Sequence, residues 1–330
     1  MRASRARGRP PEVARAPGVN ANVRREAMRQ LKELHTHGVK THARPAAVDA
    51  QPLVHPLTES HPESEVLDFL AGRPAQAVIM SGLIRDNGFE SPFNRGTFHA
   101  CRDAAGRLEG VALVGHAVYV AADTGSALRA FARVAQAQRN AHMILGEEAL
   151  VGRFWEHYAP AGQAPRVFSR EVLYELRWPV SAPEPVEGLR LATLDDLMPV
   201  MPVHAALAYE ESGVNPLDVD LHGFRMRCAR RIEHGRVWVL VEGGNLLFKA
   251  DIISDTPECV YVEGVYVDPA VRQRGLGLRC LSQLGRGLLE RTKTVSALVN
   301  EQNLAARALF DKAGYKLRGR YDTVFLERGN

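Results

Sequence analysis

The residue pattern with the clearest chemical meaning lies between positions 260 and 277. The apolar run Val260–Val267 is rich in β-branched and aromatic residues and predicts a buried strand. Pro269 ends the run, and a loop with Gly275 and Gly277 leads into an amphipathic helical pattern over 278–291. The first amides of a helix lack intrahelical acceptors and favour anions, and glycine lets a phosphate approach the backbone. The segment therefore predicts a phosphate-binding loop.

Two common phosphate-binding motifs do not fit these residues. A nucleotide P-loop needs Lys-Ser or Lys-Thr after its glycines, and the dinucleotide fingerprint needs a third glycine where Cys280 stands. The remaining pattern, Arg272-x-x-Gly275-x-Gly277 between a strand and a helix, resembles the acyl-CoA signature of the GNAT superfamily of N-acetyltransferases. In that family the amides of this loop hold the CoA pyrophosphate.

A second segment agrees with the resemblance. Residues 294–299 predict the next strand, Asn303 suits a helix N-cap, and Gly314 suits the position after the helix. The run from Asn303 to Tyr315 is similar to the second GNAT signature, whose asparagine meets the pantetheine arm of CoA. The resemblance therefore implies acyl-CoA contacts at Val265, Tyr266, Val267, Arg272, Gln273, Arg274, Gly275, Leu276, Gly277, Asn303 and Phe310.

The rest of the chain predicts a tandem. The predicted helices and strands of residues 61–180 follow the order of residues 189–330, with a Pro-rich linker at 181–188. After Val120, however, the first copy has no Arg-x-x-Gly-x-Gly loop. The whole resembles bacterial two-domain GNAT proteins with a degenerate N-terminal half. We therefore expect an α/β fold with a mixed sheet, made of two GNAT-like copies.

Residues 1–60 predict a disordered basic tail. Positions 1–45 hold eleven Arg or Lys and three Glu, a net charge of +8 in a chain whose total is +4. A nucleic-acid-binding arm, a true start at Met28 and an organelle transit peptide are the alternatives. Four scattered cysteines favour a reducing cytoplasm and neither a disulfide framework nor a metal site. No apolar run is long enough to span a membrane.

Glu263 is the candidate general base. Strand alternation predicts that Glu263, Val265 and Val267 share one face, and a carboxylate inside an apolar strand is costly unless it is paired or functional. The resemblance places the family's general base here, and it implies a kink at 265–267 whose free N–H meets the thioester oxygen. A glutamate at a solvated strand edge, or one paired with an arginine, is the alternative.

The general acid is less apparent. Many GNAT enzymes have a tyrosine in the second signature that contacts the CoA sulfur, whereas this chain has Phe310, which has no proton to donate. A free thiol has a pKa of about 8.5, so the thiolate of CoA can leave without direct protonation. Water, Tyr321 or Tyr315 could therefore serve, although Tyr315 suits a core position better.

The acceptor is expected at an acidic loop over 209–220, which contains the candidate substrate contacts Glu210 and Glu211. Such a loop attracts a cationic amine, a small molecule or a peptide, unless it is simply solvated. We therefore expect an N-acyltransferase that uses acetyl-CoA as co-substrate and no metal. The alternative is a CoA-binding protein without turnover, whose basic tail docks an acidic partner.

Overall fold

The computed structural model describes residues 53–179 and 185–327, called here the N-terminal and C-terminal halves. The interpretations of residues 1–52 and of the centre of the linker lie outside these residues. Strand β1 (Leu53–Pro56) pairs antiparallel with the strand at Gly96–Arg102, so residues 53–56, which were predicted to belong to the tail, form part of the sheet.

The N-terminal half consists of a strand, two helices, three strands and two helix–strand units, the second of which ends in a long strand. After β1 come α1 (Glu63–Ala71), α2 (Pro74–Asn87), β2 (Gly96–Arg102), β3 (Leu108–Gly115), β4 (Ala117–Ala122), α3 (Gly125–Ala137), β5 (Met143–Glu147), α4 (Glu148–Tyr158) and β6 (Pro165–Leu176).

The C-terminal half repeats that order, as the tandem interpretation predicts. Its elements are β7 (Arg190–Leu191), α5 (Leu197–Ser212), α6 (Pro216–Glu233), β8 (Val237–Glu242), β9 (Asn245–Asp255), β10 (Val260–Val267), α7 (Leu276–Leu289), β11 (Val295–Asn300), α8 (Leu304–Lys312) and β12 (Lys316–Leu326). The mixed sheet and its flanking helices confirm the predicted fold class.

The two halves share one sheet by exchanging their last strands. The strand order is β1-β2-β3-β4-β5-β12-β6-β11-β10-β9-β8-β7. Strand β6 of the N-terminal half therefore pairs with β11, and β12 of the C-terminal half pairs with β5 and β6. The linker at 181–188 divides the chain in sequence order, but each half completes the sheet of the other.

Each half contains two parallel strands that separate soon after they meet. Strands β10 and β11 pair only at Val260 with Val295 and at Tyr261 with Ser296. Strands β4 and β5 separate in the same way after two pairs. The carboxyl ends of parallel strands are where open α/β sheets bind ligands. The gap between β10 and β11 therefore lies next to the predicted phosphate loop, where this rule would lead one to expect a ligand.

Two sequence predictions about element boundaries were wrong. The apolar run over 111–120 predicts one strand, but it contains parts of two strands, β3 and β4, which are separated at His116. The acidic loop predicted over 210–220 is mostly helix, because α5 continues to Ser212 and Pro216 occupies the first turn of α6. Gly213, with φ 66°, supplies the left-handed residue that ends α5.

Helix α2 joins the halves, since it packs on β9 and β10 as well as on β4. The Ser254 hydroxyl on β9 donates to the carbonyl of Val78 at 2.5 Å. A Cβ at Gly82 would lie 2.0 Å from Ser254 Oγ. Glycine is therefore required where α2 crosses β9.

Replacing Gly82 with valine is expected to lower the free energy of unfolding by about 1–3 kcal/mol, because overpacking must separate α2 from β9. Urea unfolding measures the change. Gly152→Ala in α4 is the matched control, since its Cβ would meet no atom within 4 Å. That variant should gain about 0.5–1 kcal/mol. Equal stabilities for the two variants would refute this description of the contact.

Candidate functional site

Strand β10 contains a bulge beside the phosphate loop. Glu263 pairs with Asp251 and Tyr266 pairs with Lys249, so three steps on β10 match two steps on β9. Gly264 adopts φ 60° at this point. The extra residue shifts the alternation by one, and one residue of β10 has no partner on β9.

The bulge makes the predicted side-chain alternation wrong. Val265 and Val267 pack against the core beneath α7 and α8, whereas Tyr266 packs with the cluster of α5 and α6. Glu263 lies on the opposite face from the two valines and lines a cleft with Gly264. Regular alternation would have placed all three predicted residues on one face.

Gly264 is required by close contacts as well as by its backbone angle. An added Cβ would lie 2.7 Å from Asp251 Oδ2 and 2.9 Å from Lys249 Nζ. Any larger residue would push into this ion pair and would be strained at a positive φ. The residue at the bulge of β10 must therefore be glycine for the Lys249–Asp251 ion pair of β9 to keep its position.

The loop between β10 and α7 exposes a series of main-chain donors. Asp268 caps the turn by accepting from Ala270 N at 2.8 Å, and Arg272 Nε donates to the carbonyl of Val267 at 2.9 Å. Gln273 and Gly275 have φ of 62° and 79°. Within residues 53–179 and 185–327, no acceptor is found for the amides of 273–275. These exposed amides precede the N-terminus of α7 and fit a phosphate group.

The N-terminus of α7 is held tightly against β10. A Cβ at Gly277 would lie 2.7 Å from Val267 Cγ2 and 3.8 Å from Leu309. Leu276 packs on the same core. The close approach places the loop amides beside the end of β10, as the two glycines of the motif predict. Arg272 and Arg274 are both exposed at this loop.

The second signature positions Asn303 and Phe310 differently. Asn303 accepts from Ala306 N at 3.0 Å, so the predicted N-cap of α8 is confirmed, and its exposed side chain lies at the carboxyl end of β11. Phe310 is only 3% exposed, stacks on Tyr174 and makes an edge-to-face contact with Tyr315. Phe310 therefore forms part of the wall of the core beneath α7 and α8.

A cleft of about 470 Å³ lies between the halves on the other side of β10. Glu263, Gly264 and Asp251 line it from the sheet, and Glu211 lines it from α5. Glu210, the other predicted substrate contact, is exposed on α5 and does not line the cleft. The volume suits a small molecule.

Two carboxyl groups of this cleft, Glu263 and Glu211, have raised pKa values. Burial raises the pKa of Glu263, with a further contribution from Asp251 that Arg231 and Lys249 oppose. Glu211 reaches solvent through the cleft, yet desolvation by the surrounding protein and the nearby Glu263 raise its pKa to about 8. A carboxyl poised near neutral pH is suited to proton transfer.

Behind Glu263 lies a buried network that the sequence reading missed. Lys249 Nζ donates to Asp251 Oδ2 at 2.5 Å, and His204 Nε2 lies 3.0 Å from Asp251 Oδ1. Burial opposes ionisation of Asp251, but Lys249 and His204 hold its pKa well below the usual range. Burial lowers the pKa of Lys249. In the sequence, this network is indicated by Lys249 and Asp251, two charged residues that interrupt an apolar strand.

Glu171 on β6 is a further carboxyl close to this group, and it accepts from Thr323 Oγ1 at 3.2 Å. Burial raises its pKa from 4.5 to about 7. Because the folded pKa exceeds the unfolded one, folding takes up a proton. The associated stability is present at low pH and is lost as pH rises from about 4.5 to about 7.

Glu171→Gln is therefore expected to raise the free energy of unfolding by about 1–3 kcal/mol at about pH 8, and by little at about pH 4. Urea unfolding at both pH values measures the difference. Glu156→Gln, at an exposed carboxyl of α4, is the control. An equal gain at both pH values would contradict a proton-linked origin.

Neither Tyr315 nor Tyr321 lies where it could act as the general acid in this cleft. Tyr315 lies in the core with its hydroxyl 3.2 Å from the position of a Cβ on Gly285, and burial raises its pKa. Tyr321 on β12 is also buried, and burial raises its pKa. Neither residue lines the 470 Å³ cleft.

Comparisons with known proteins support the fold described above. Residues 252–325 match the family of FR47-like proteins. Three solved structures are similar in fold. A GNAT-family acetyltransferase from Colwellia psychrerythraea is 12% identical, with 83% of this chain and 100% of that chain covered and a TM-score of 0.51. A Drosophila protein is 12% identical, with 84% of this chain and 100% of that chain covered and a TM-score of 0.63. A tandem GNAT protein from the clavulanic acid biosynthesis pathway is 14% identical, with 84% of this chain and 100% of that chain covered and a TM-score of 0.53.

No curated protein matches the chain by sequence. The chain has the fold of the GNAT superfamily of N-acetyltransferases in its tandem form, and the resemblance predicted from the two signatures is confirmed. Within the part of the chain that the structure describes, no helix is long and apolar enough to cross a membrane. The same residues contain no group of three His, Cys, Asp or Glu side chains arranged for a metal ion.

Proposed function

We propose that this protein is an N-acyltransferase that transfers the acetyl group of acetyl-CoA to a primary amine by direct attack in a ternary complex. One observation carries the proposal. The bulge of β10 lies between the exposed amides of 273–275 on one side and a cleft containing Glu263 on the other. Donor and acceptor sites therefore meet at a single point of one strand.

The donor side fits a coenzyme with a diphosphate and a long thiol arm. The amides before α7 offer main-chain donors, and the space where a Gly275 side chain would lie is open. The gap between β10 and β11 runs from that loop toward the bulge, with Asn303 at the end of β11. Because β10 and β11 pair no further than Tyr261, the main chain of β10 at the bulge faces this gap without a partner on β11, and it is there that an N–H would meet the thioester oxygen.

The acceptor side fits proton removal from an amine. An amine attacks only in its neutral form, and Glu263 faces the cleft as the carboxyl that takes up the proton, directly or through water. The Lys249–Asp251–His204 network keeps charged groups close enough to Glu263 to influence its pKa. The leaving thiolate of CoA takes its proton from water, because Phe310 has none to give.

The proposal is tested by incubating the full-length protein with acetyl-CoA and a panel of primary amines. Released thiol is measured together with the mass of each acylated amine. Amine-dependent thiol release with one acetyl group on the product supports the function. Thiol release without an acylated amine would show that the protein hydrolyses acetyl-CoA and does not transfer its acetyl group.

The second candidate is a CoA-binding protein without turnover. Phe310 at the position of the usual tyrosine and the absence of a phosphate loop after β4 favour it. Both candidates bind CoA, so binding does not separate them. Acetyl-CoA binding with no acylation of any amine would establish the second candidate.

A further inference from the structure

The cleft beside Glu263 has two walls of different charge. The C-terminal half contributes four carboxyl groups to its lining, whereas the N-terminal half contributes none. The lining residues of the N-terminal half are Arg95, His116, Asn140, Ala141 and His142. A degenerate half that has no phosphate loop thus still supplies one wall of the cleft.

Ion pairs cancel most of the charge on the opposite wall. Arg227 Nη1 lies 3.1 Å from Asp220 Oδ2, and Arg231 Nη1 lies 3.5 Å from Asp251 Oδ2. Within residues 53–179 and 185–327, Glu211 and Glu263 have no ion-pair partner. The uncompensated groups of this wall are therefore carboxyls.

Arg95 is the uncompensated cation of the facing wall. No carboxylate among the described residues lies within ion-pair distance of its guanidinium. Burial lowers its pKa, and the neighbouring Arg227 adds to this effect while Asp220 opposes it. Asp220 pairs with Arg227 and is the carboxylate that influences Arg95, so two guanidinium groups and one carboxylate leave a net positive charge at this end of the cleft. Such a pair of guanidinium groups is suited to a bidentate anion.

The backbone holds Arg95 in an uncommon conformation. Its φ is 54°, its N–H donates to the carbonyl of Pro92 at 3.1 Å, and its carbonyl accepts from His116 N at 2.8 Å. A side chain in the left-handed region costs about 1–2 kcal/mol relative to glycine. The backbone at Arg95 therefore keeps this conformation at some expense to stability, and the side chain lines the cleft.

We propose that the acceptor is a primary amine that also carries an anionic group, and that Arg95 of the N-terminal half binds this group while the amine faces Glu211 and Glu263. The anionic group is a carboxylate or a phosphate. The proposal rests on the proposed function for its chemistry, but the anion subsite is a binding property that is measured without turnover.

The experiment uses full-length protein loaded with CoA, which permits binding without reaction. Calorimetry compares ω-amino carboxylates and aminoalkyl phosphates of increasing length with alkylamines of the same length. The anionic member of each pair should bind more tightly at one length. Arg95→Gly, which relieves the backbone strain, should lower that preference by about 10- to 100-fold. Arg95→Lys should restore part of it, and Arg129→Ala at an exposed site of α3 should leave it unchanged.

The outcomes separate the two proposals. A preference for anionic amines that Arg95→Gly removes supports the subsite even if acetyl-CoA gives no product, in which case only the acyltransferase function fails. Equal binding of anionic and neutral amines, or an equal loss for both in Arg95→Gly, overturns the subsite even if an amine is acetylated. The carboxylate and phosphate series show which anion is preferred.

Discussion

Gly275→Val is expected to lower the affinity for CoA by about 100-fold or more. The cause is conformational, because a Cβ at this position would meet no atom within 4 Å while Gly275 holds φ at 79°. A β-branched residue is strained in that region and would turn the loop to another conformation. The amides of 273–275 would then no longer converge on a diphosphate, and each lost bond to a charged group is worth about 1.5–3 kcal/mol.

Calorimetric titration with CoA measures the effect. Gly287→Ala is the matched control, since it lies in α7 at an ordinary helical φ with open space around its Cβ. The control should keep its CoA affinity and be slightly more stable. Thermal unfolding checks that Gly275→Val remains folded. Unchanged CoA affinity in a folded Gly275→Val protein would remove this loop from the donor site.

Glu263→Gln is expected to lower kcat by about 100- to 10,000-fold, the usual range for loss of a general base. Glutamine keeps the size and the polar contacts of the side chain, so the effect reports on proton transfer. Burial raises the pKa of Glu263, so the native rate should fall with decreasing pH as this carboxyl becomes protonated. The variant should lose this dependence on the carboxyl.

The pH profile of kcat for a productive amine, in the native protein and in Glu263→Gln, measures both effects. Glu210→Gln is the control, because that residue is exposed on α5 and does not line the cleft. Its rate and profile should match those of the native protein. A Glu263→Gln variant with the native rate would assign proton removal to another group, and Glu211 would be the next to replace.

The local features of the donor site could be predicted from sequence. Gly275 and Gly277 predict a loop that leads into a helix, and Asn303 predicts an N-cap. These predictions are possible because the local backbone conformation, over a few residues, favours these residue types. The order of helices and strands could be predicted in both halves because it also depends on local sequence patterns. Such signals do not require knowledge of distant parts of the chain.

The shape of the acceptor site could not be predicted in this way. The bulge at Gly264 depends on how β10 pairs with β9, and an apolar run with one glycine does not specify that register. The prediction that Glu263, Val265 and Val267 share a face failed at this residue. Arg95 and Glu263 belong to different halves and line one cleft in a structure whose halves share one sheet, a long-range arrangement that local sequence patterns do not specify.

A crystal structure of the full chain with acetyl-CoA tests the central claim most directly. The account predicts the diphosphate within hydrogen-bond distance of amides between Gln273 and Gly277, with the thioester directed along β10 toward the bulge at Gly264. Acetyl-CoA bound in the other gap, between β4 and β5, or a complex in which the amides of this loop contact no phosphate, would contradict it.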